Sequence, residues 1–107
     1  MITMMIKIKL MPGKKKEFLD TMQSLQNEKK NLKGISGTKV YEDVEDADGF
    51  NLVDDWETDE DLERYRSGEN FKVFLGALKT LCAETNVILG PTQQQTGDVK
   101  QEGEKDG

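Results

Sequence analysis

Histidine is absent from this 107-residue chain, cysteine occurs once and tryptophan once. Without His there is no imidazole to ligate haem iron, and none to activate a Ser or Cys nucleophile. A lone thiol makes no internal disulfide. Cys82 sits beside Leu78, Leu81 and Ala83, a setting that suits burial in a core better than reactivity. No apolar run approaches the roughly 20 residues that cross a bilayer. The alternating first ten residues lack the charged start and long apolar stretch of a secretory leader. A cytoplasmic location is expected.

Positive charge is scarce over a long stretch. The formal net charge is -6, and from Glu42 to Glu63 there are twelve carboxylates and no Lys or Arg. A surface of that kind repels nucleic acid and anionic lipid, so neither is expected as a partner. The carboxylates lack calcium-loop spacing and read as solvated hairpin and helix-start charges, so no metal site is expected. The run Lys14-Lys15-Lys16 reads as a solvated helix start.

The length allows one domain. From Pro91 onward the only hydrophobic side chain is Val99. Such a segment cannot offset its ordering entropy by apolar burial, which predicts a domain over residues 1–90 and a disordered polar tail over residues 91–107. A unit of that size buries about 60–65% of its unfolded surface. It is marginal alone, and self-association would relieve that.

The hydrophobic pattern supplies the elements. Ile2, Met4, Ile6, Ile8 and Leu10 alternate with Thr3, Met5, Lys7 and Lys9, the period of a half-buried strand. After Pro12-Gly13, Phe18, Leu19, Met22, Leu25 and Leu32 fall mainly at three- and four-residue spacings, predicting a helix over residues 14–33 that stops at Gly34. Two β-favouring runs, residues 37–44 and 50–57, flank an Asp-Gly turn signal and read as a hairpin. Thr58 or Asp59 caps a helix whose first turns are acidic, and that helix weakens at Ser67-Gly68. Phe71, Phe74, Leu75, Leu78 and Leu81 continue at helical spacing, and residues 86–89 form a last short strand. The order β-α-β-β-α-β is the split, ferredoxin-like α+β arrangement, an antiparallel sheet with helices over one face. Met5 and Val53, with Val40 and Val44 as further candidates, leave the other sheet face partly apolar and in need of a cover.

The run from Asn51 to Leu81, LVDDWETDEDLERYRSGENFKVFLGALKTL after the Asn, resembles the antibiotic-biosynthesis monooxygenase family. A strand ending in an acidic residue and Trp leads into a helix, a Ser-containing turn and a Phe-rich helix. The helix opening at Gly13-Lys-Lys-Lys-Glu-Phe18, the strand start at Gly37 and the element order are also similar, so the likeness covers about residues 1–90. It implies a homodimer whose two sheets close a dimeric α+β barrel, with a pocket in each subunit between sheet and helices. Members include cofactor-independent oxygenases of aromatic polyketides and quinols, and haem-degrading enzymes. Trp56 matches the family's strand-end Trp, and Asp54 stands where many members carry Glu. Nine residues after the Trp, where the family often has His, this chain has Tyr65. The haem-degrading branch uses an Asn on the first strand, and none lies between Met4 and Ile8.

Two functional readings follow. One is a cofactor-independent monooxygenase that binds a small aromatic phenol or quinol against Trp56, Phe71, Phe74 and Tyr41, with Asp54 and Tyr65 as acid-base groups and no metal or cofactor. The alternative is a non-catalytic dimeric barrel that binds a small apolar ligand or has a structural role. Each residue has a plainer reading. Trp56, Phe71 and Phe74 serve equally as core, and Tyr65 as a core-edge residue with its hydroxyl in water. Asp54 shares a face with Leu52 and Trp56, where a carboxylate is costly unless partnered. It is either a base at a pocket or one half of an ion pair or hydrogen bond, with Tyr41 across the hairpin as a candidate partner.

Overall fold

The computed structural model describes residues 1–91. Strand β1 (Ile2–Leu10) leads through the Pro12-Gly13 turn into helix α1 (Lys15–Lys29), followed by the hairpin β2 (Ile35–Asp43) and β3 (Asp46–Trp56). Helices α2 (Asp59–Arg66) and α3 (Glu69–Leu81) come next, and β4 (Cys82–Pro91) completes the chain's regular structure. The four strands form one antiparallel sheet in the order β2-β3-β1-β4. This is the expected ferredoxin-like α+β arrangement, with the second helical segment split in two.

The alternation of β1 decides which face is buried. Met4, Ile6, Ile8 and Leu10 meet Phe50, Leu52 and Trp56 of β3 on the helix-covered face, and Phe18, Met22, Leu62, Phe74 and Leu78 close over them. Each large apolar side chain buried this way contributes about 1.5–3 kcal/mol. Met5 and Val53 pair directly across the sheet on the opposite face, as their parity requires. Val40 instead pairs with Leu52 and packs against the core, while Val44 stands at the hairpin tip, fully exposed.

Several boundaries differ from the sequence expectation, each for a local reason. The hairpin turns at Val44-Glu45 rather than at the Asp-Gly signal, because two acidic side chains hold the turn. Asp43 Oδ1 accepts from the Glu45 amide at 2.9 Å, and Asp46 Oδ1 accepts from the Asp48 amide at 2.9 Å. Strand β4 is longer than expected and starts where α3 ends, since Cys82 and residues 84–91 pair with β1. Pro91 belongs to that strand, opposite Ile2, and not to a tail; the rest of the expected tail, residues 92–107, lies outside the described residues. Thr58 is the cap of α2: its hydroxyl oxygen accepts from the Asp61 amide at 3.1 Å and the hydroxyl donates to the Asp61 carboxylate at 2.9 Å.

Helix α1 ends at Lys29, and the chain reaches Gly34 in a left-handed conformation, φ +88°. That geometry suits glycine for two reasons. The backbone turn disfavours any Cβ, and a Cβ built here would overlap the Asp61 side chain. The Gly34 carbonyl also accepts the Glu57 amide at 2.8 Å, tying the end of the α1 connection to the end of β3. Gly34→Ala is expected to lower stability by about 2–4 kcal/mol, the sum of left-handed strain and a steric shift. A urea unfolding curve checks this; a loss below about 0.5 kcal/mol would mean the turn relaxes freely.

Candidate functional site

The junction that Gly34 ties together borders a cavity of about 200 Å³. Leu32 and Lys33 form one wall, Trp56 the end of β3, and Asp61, Arg64 and Tyr65 of α2 the other wall, with Asn70 of α3 at the edge. Trp56 is 1% exposed, and its indole Nε1 is buried without a hydrogen-bond acceptor. A buried donor left without a partner is uncommon and costly, and here the residue that carries it lines a cavity. Tyr65 stacks on Trp56 at 5.0 Å between ring centroids, and Phe71 meets Tyr65 edge-on at 5.2 Å. The aromatic group therefore continues from the sheet into the helices.

Burial, and secondarily the charge of Asp54, raises the Tyr65 phenol well above its ordinary value of 10.0. Tyr65 thus stays protonated at neutral pH and can donate a hydrogen bond, but it is not a base. At the cavity mouth, Arg64 Nη1 donates to Asp61 Oδ1 at 2.8 Å. That bond and the Thr58 hydroxyl hold the Asp61 carboxyl below its usual range.

A second recess, of about 30 Å³, shares Leu32, Tyr65 and Asn70 with the larger cavity and reaches Lys29 and Phe74. Lys29 is the residue that sequence reasoning missed. Its ammonium donates to Asp54 Oδ2 at 3.1 Å, with both side chains 3% exposed, and lies 3.9 Å from the centre of the Phe74 ring. The other Asp54 oxygen accepts from the Thr38 hydroxyl at 2.6 Å, because the sheet register sets Thr38 directly opposite Asp54. Asp54 is thus the partnered half of an ion pair, and its partner is not Tyr41. Burial lowers the Lys29 pKa from 10.5, opposed by the charge and hydrogen bond of Asp54.

A signal for Lys29 did exist. Phe18, Met22, Gln26 and Lys29 are the buried residues of α1, spaced four, four and three apart, so the core-facing line of the helix ends on a Lys. Leu19, read as part of that stripe, is instead 43% exposed.

Tyr41 does not join this group. It pairs with Asn51, on the opposite parity from Leu52 and Asp54, and so faces the other side of the sheet. There, with Met5, Val53, Ile88 and Leu89, it lines a hollow of about 450 Å³. That hollow is larger, yet it contains none of the other candidate residues. Phe71 and Phe74 lie on the helix-covered side, 7% and 1% exposed. Phe74 borders the small recess, and Phe71 reaches the site through Tyr65. Asp54 borders neither cavity; Lys29 stands between. Cys82 is half-buried against the core, and burial pushes its thiol up, so it is no candidate nucleophile.

The family model for antibiotic biosynthesis monooxygenases matches residues 1–77. The chain belongs to this family. No curated protein matches it by sequence. Among solved structures, a conserved protein from Methanosarcina mazei Go1 is 22% identical with a TM-score of 0.78, covering 86% of this chain and 92% of that one. A crystal structure described as an antibiotic biosynthesis monooxygenase is 14% identical with a TM-score of 0.76, covering 88% and 100%. Rv0793 from Mycobacterium tuberculosis is 9% identical with a TM-score of 0.77, covering 89% and 97%. At such identities the likeness establishes the fold. Among the described residues no helix is long and apolar enough to cross a membrane.

Proposed function

We propose that this family member is a cytoplasmic, cofactor-independent monooxygenase of a small planar phenol or quinol. The observation that carries the reading is the cavity bordered by Trp56 and Tyr65. Trp56 carries a buried indole N–H without an acceptor, and in this reading a phenolic or quinone oxygen in the cavity that Trp56 borders supplies one. Tyr65, kept protonated, supplies a second donor. Phe71 and Phe74 back the aromatic wall. Oxidation of a phenol to a quinone by O₂ is balanced without an external reductant: one oxygen atom becomes the new ring carbonyl and the other leaves as water. The protein's part is to hold the ring, favour its oxyanion and exclude bulk solvent.

Trp56 is the only Trp, so its fluorescence reports on this cavity. Titration with hydroxylated naphthalenes and anthrones in an oxygen electrode is expected to quench the emission and to consume O₂ catalytically. Tyr65→Phe should reduce turnover by about tenfold or more, since a hydrogen bond to a charged group is worth about 1.5–3 kcal/mol. Quenching without oxygen uptake for every compound would instead support the second reading, a ligand-binding barrel. One observation favours that second reading: Asp54, the expected base, is engaged by Lys29 and Thr38 and borders no part of the cavity.

We further propose that the open sheet face is covered by a second copy of the chain. Tyr41 and Ile88 are 48% and 47% exposed, and with Met5 and Val53 they form an apolar surface around the 450 Å³ hollow. Equilibrium sedimentation at micromolar concentration is expected to give a dimer. Tyr41→Asp with Ile88→Asp should shift it to monomer, because buried unpaired carboxylates cost several kcal/mol. A monomeric wild-type protein would sink the barrel.

A further inference from the structure

Three ionisable side chains meet at the rim of the cavity beside Trp56, and their charges do not balance. Lys33, Asp61 and Arg64 all border that cavity. Asp61 already has a donor on each oxygen: Oδ1 accepts from Arg64 Nη1 at 2.8 Å, and Oδ2 from the Thr58 hydroxyl at 2.9 Å. Its side chain also lies against the Gly34 backbone, close enough to overlap any Cβ built there. Lys33, the residue before Gly34, is thereby set beside the same carboxylate. Its charge helps to hold the Asp61 carboxyl down, after the hydrogen bonds from Arg64 and Thr58. Two cations thus share one anion.

The other carboxylates nearby do not supply the missing charge. Glu69 borders the cavity from α3, but it pairs with Lys72 at 3.6 Å. Glu63 of α2 pairs with Arg66 at 3.0 Å. Glu57, whose amide is bonded to the Gly34 carbonyl, does not border the cavity. Lys33 has no carboxylate within ion-pairing distance among the described residues. The rim therefore carries one unmatched positive charge, on a chain whose formal net charge is -6.

We propose that Lys33, with Arg64 beside it, sets the specificity of this site, and that the phenol or quinol it takes carries a carboxylate held at the rim. The proposal rests on the reading of the cavity as an aromatic binding site, and adds to it the ionic class of the substrate.

The division of the site into an apolar interior and a wet, cationic rim is the physical reason. A charged substituent placed inside against Trp56 would lose its hydration at considerable cost. At the rim it keeps much of its water and meets two cations. An aromatic carboxylic acid is ionised at neutral pH, as Asp and Glu are. Its arrival makes two anions for two cations. Arg64 spends only Nη1 on Asp61, so the rest of its planar fork is left to donate. Lys33 is exposed and brings a compact charge on a flexible stem. A neutral substituent leaves the extra charge unmatched, and a cationic one is repelled. Because the Arg64 side chain is 59% exposed, the gain is modest and salt screens it.

The experiment compares 6-hydroxy-2-naphthoate with its methyl ester, which keeps the ring and the phenol and removes the charge. Equilibrium dialysis against wild-type protein measures both affinities. At about 20 mM salt the acid is expected to bind about threefold to fivefold tighter, the scale of an exposed ion pair. At about 0.5 M salt the advantage should fall below about twofold. Lys33→Gln removes the unmatched charge at an exposed position, and is expected to bring the acid to the affinity of the ester. Lys33→Glu should make the ester the tighter ligand. A preference for the acid that survives in Lys33→Gln would overturn the role of Lys33. Equal binding of acid and ester by wild type at low salt would overturn the proposal while leaving the aromatic cavity intact, and it needs no substitution to be seen. Failure of wild type to bind either probe would remove the cavity reading, and this proposal with it.

Discussion

Asp54→Ala is expected to lower the unfolding free energy by about 3–5 kcal/mol at neutral pH, a large share of the total for a domain of this size. The cause is not the loss of an attractive pair but the charge left behind. Lys29 is 3% exposed, its ammonium touches no other carboxylate among the described residues, and its surroundings are Phe74, Tyr65 and Leu32. Lys29→Met alone should cost nearly as much, because it strands Asp54 with only the Thr38 hydroxyl. The double substitution Lys29→Met with Asp54→Leu should recover most of the loss. A double-mutant cycle by urea unfolding at pH 7 measures the coupling, expected near 2–4 kcal/mol and of the sign that favours the pair over either single variant.

The same pair sets a pH dependence. In the folded protein Lys29 titrates below 10.5, the value it regains on unfolding. Between those two values the unfolded chain binds more protons, so the Lys29 contribution makes stability rise with pH toward 10.5. In Asp54→Ala both opposing effects of the carboxylate are gone, and the folded value falls further. The penalty of that variant is therefore expected to shrink as pH climbs from 7 to 10. A penalty that stays constant over this range would mean that Lys29 escapes to solvent in the variant.

Trp56→Ala is expected to cost about 3–5 kcal/mol, as for other fully buried large side chains. The ring is 1% exposed, spans the pairing partners Ile2 and Ile35 on its two neighbouring strands, and stacks on Tyr65. Core and cavity wall are not alternatives here: the same ring does both, one part packed and another bordering the hollow. Trp56→Phe separates the two roles. It keeps most of the apolar bulk and removes the N–H, so stability should fall by about 1–2 kcal/mol while oxygen uptake or ligand affinity falls by about tenfold. A Phe variant with unchanged ligand affinity would show that the indole N–H takes no part in recognition.

Much of this molecule is legible from local pattern. The period-two run of β1, the three- and four-residue spacing of Phe18 and Met22, and the Thr58 cap each follow from physics that acts within a few residues. They lead to the α+β arrangement and to the parity that puts Leu52, Asp54 and Trp56 on one face. The partly apolar second face follows from the same parity, through Met5 and Val53. Boundaries were less legible where a side chain competes with the usual signal. The carboxylates of Asp43 and Asp46 move the hairpin turn to Val44-Glu45, and pairing with β1 extends β4 to Pro91.

What only the tertiary structure decided is which distant residues meet. Lys29 and Asp54 are 25 residues apart, and Thr38 and Asp54 are 16 apart. No local rule joins them, because their meeting depends on where α1 crosses the sheet and on the register of the hairpin. Tyr41 illustrates the converse. It lies near the predicted site in sequence pattern, but one position of register from Val40 places it on the other side of the sheet. The sequence by itself determined the fold class, the buried faces and the aromatic residues available, since those depend on composition and period. The cavity beside Trp56 and Tyr65 and the buried Lys29–Asp54 pair belong to the packing of helices on the sheet, where separations of a few ångströms settle the partner of each charge.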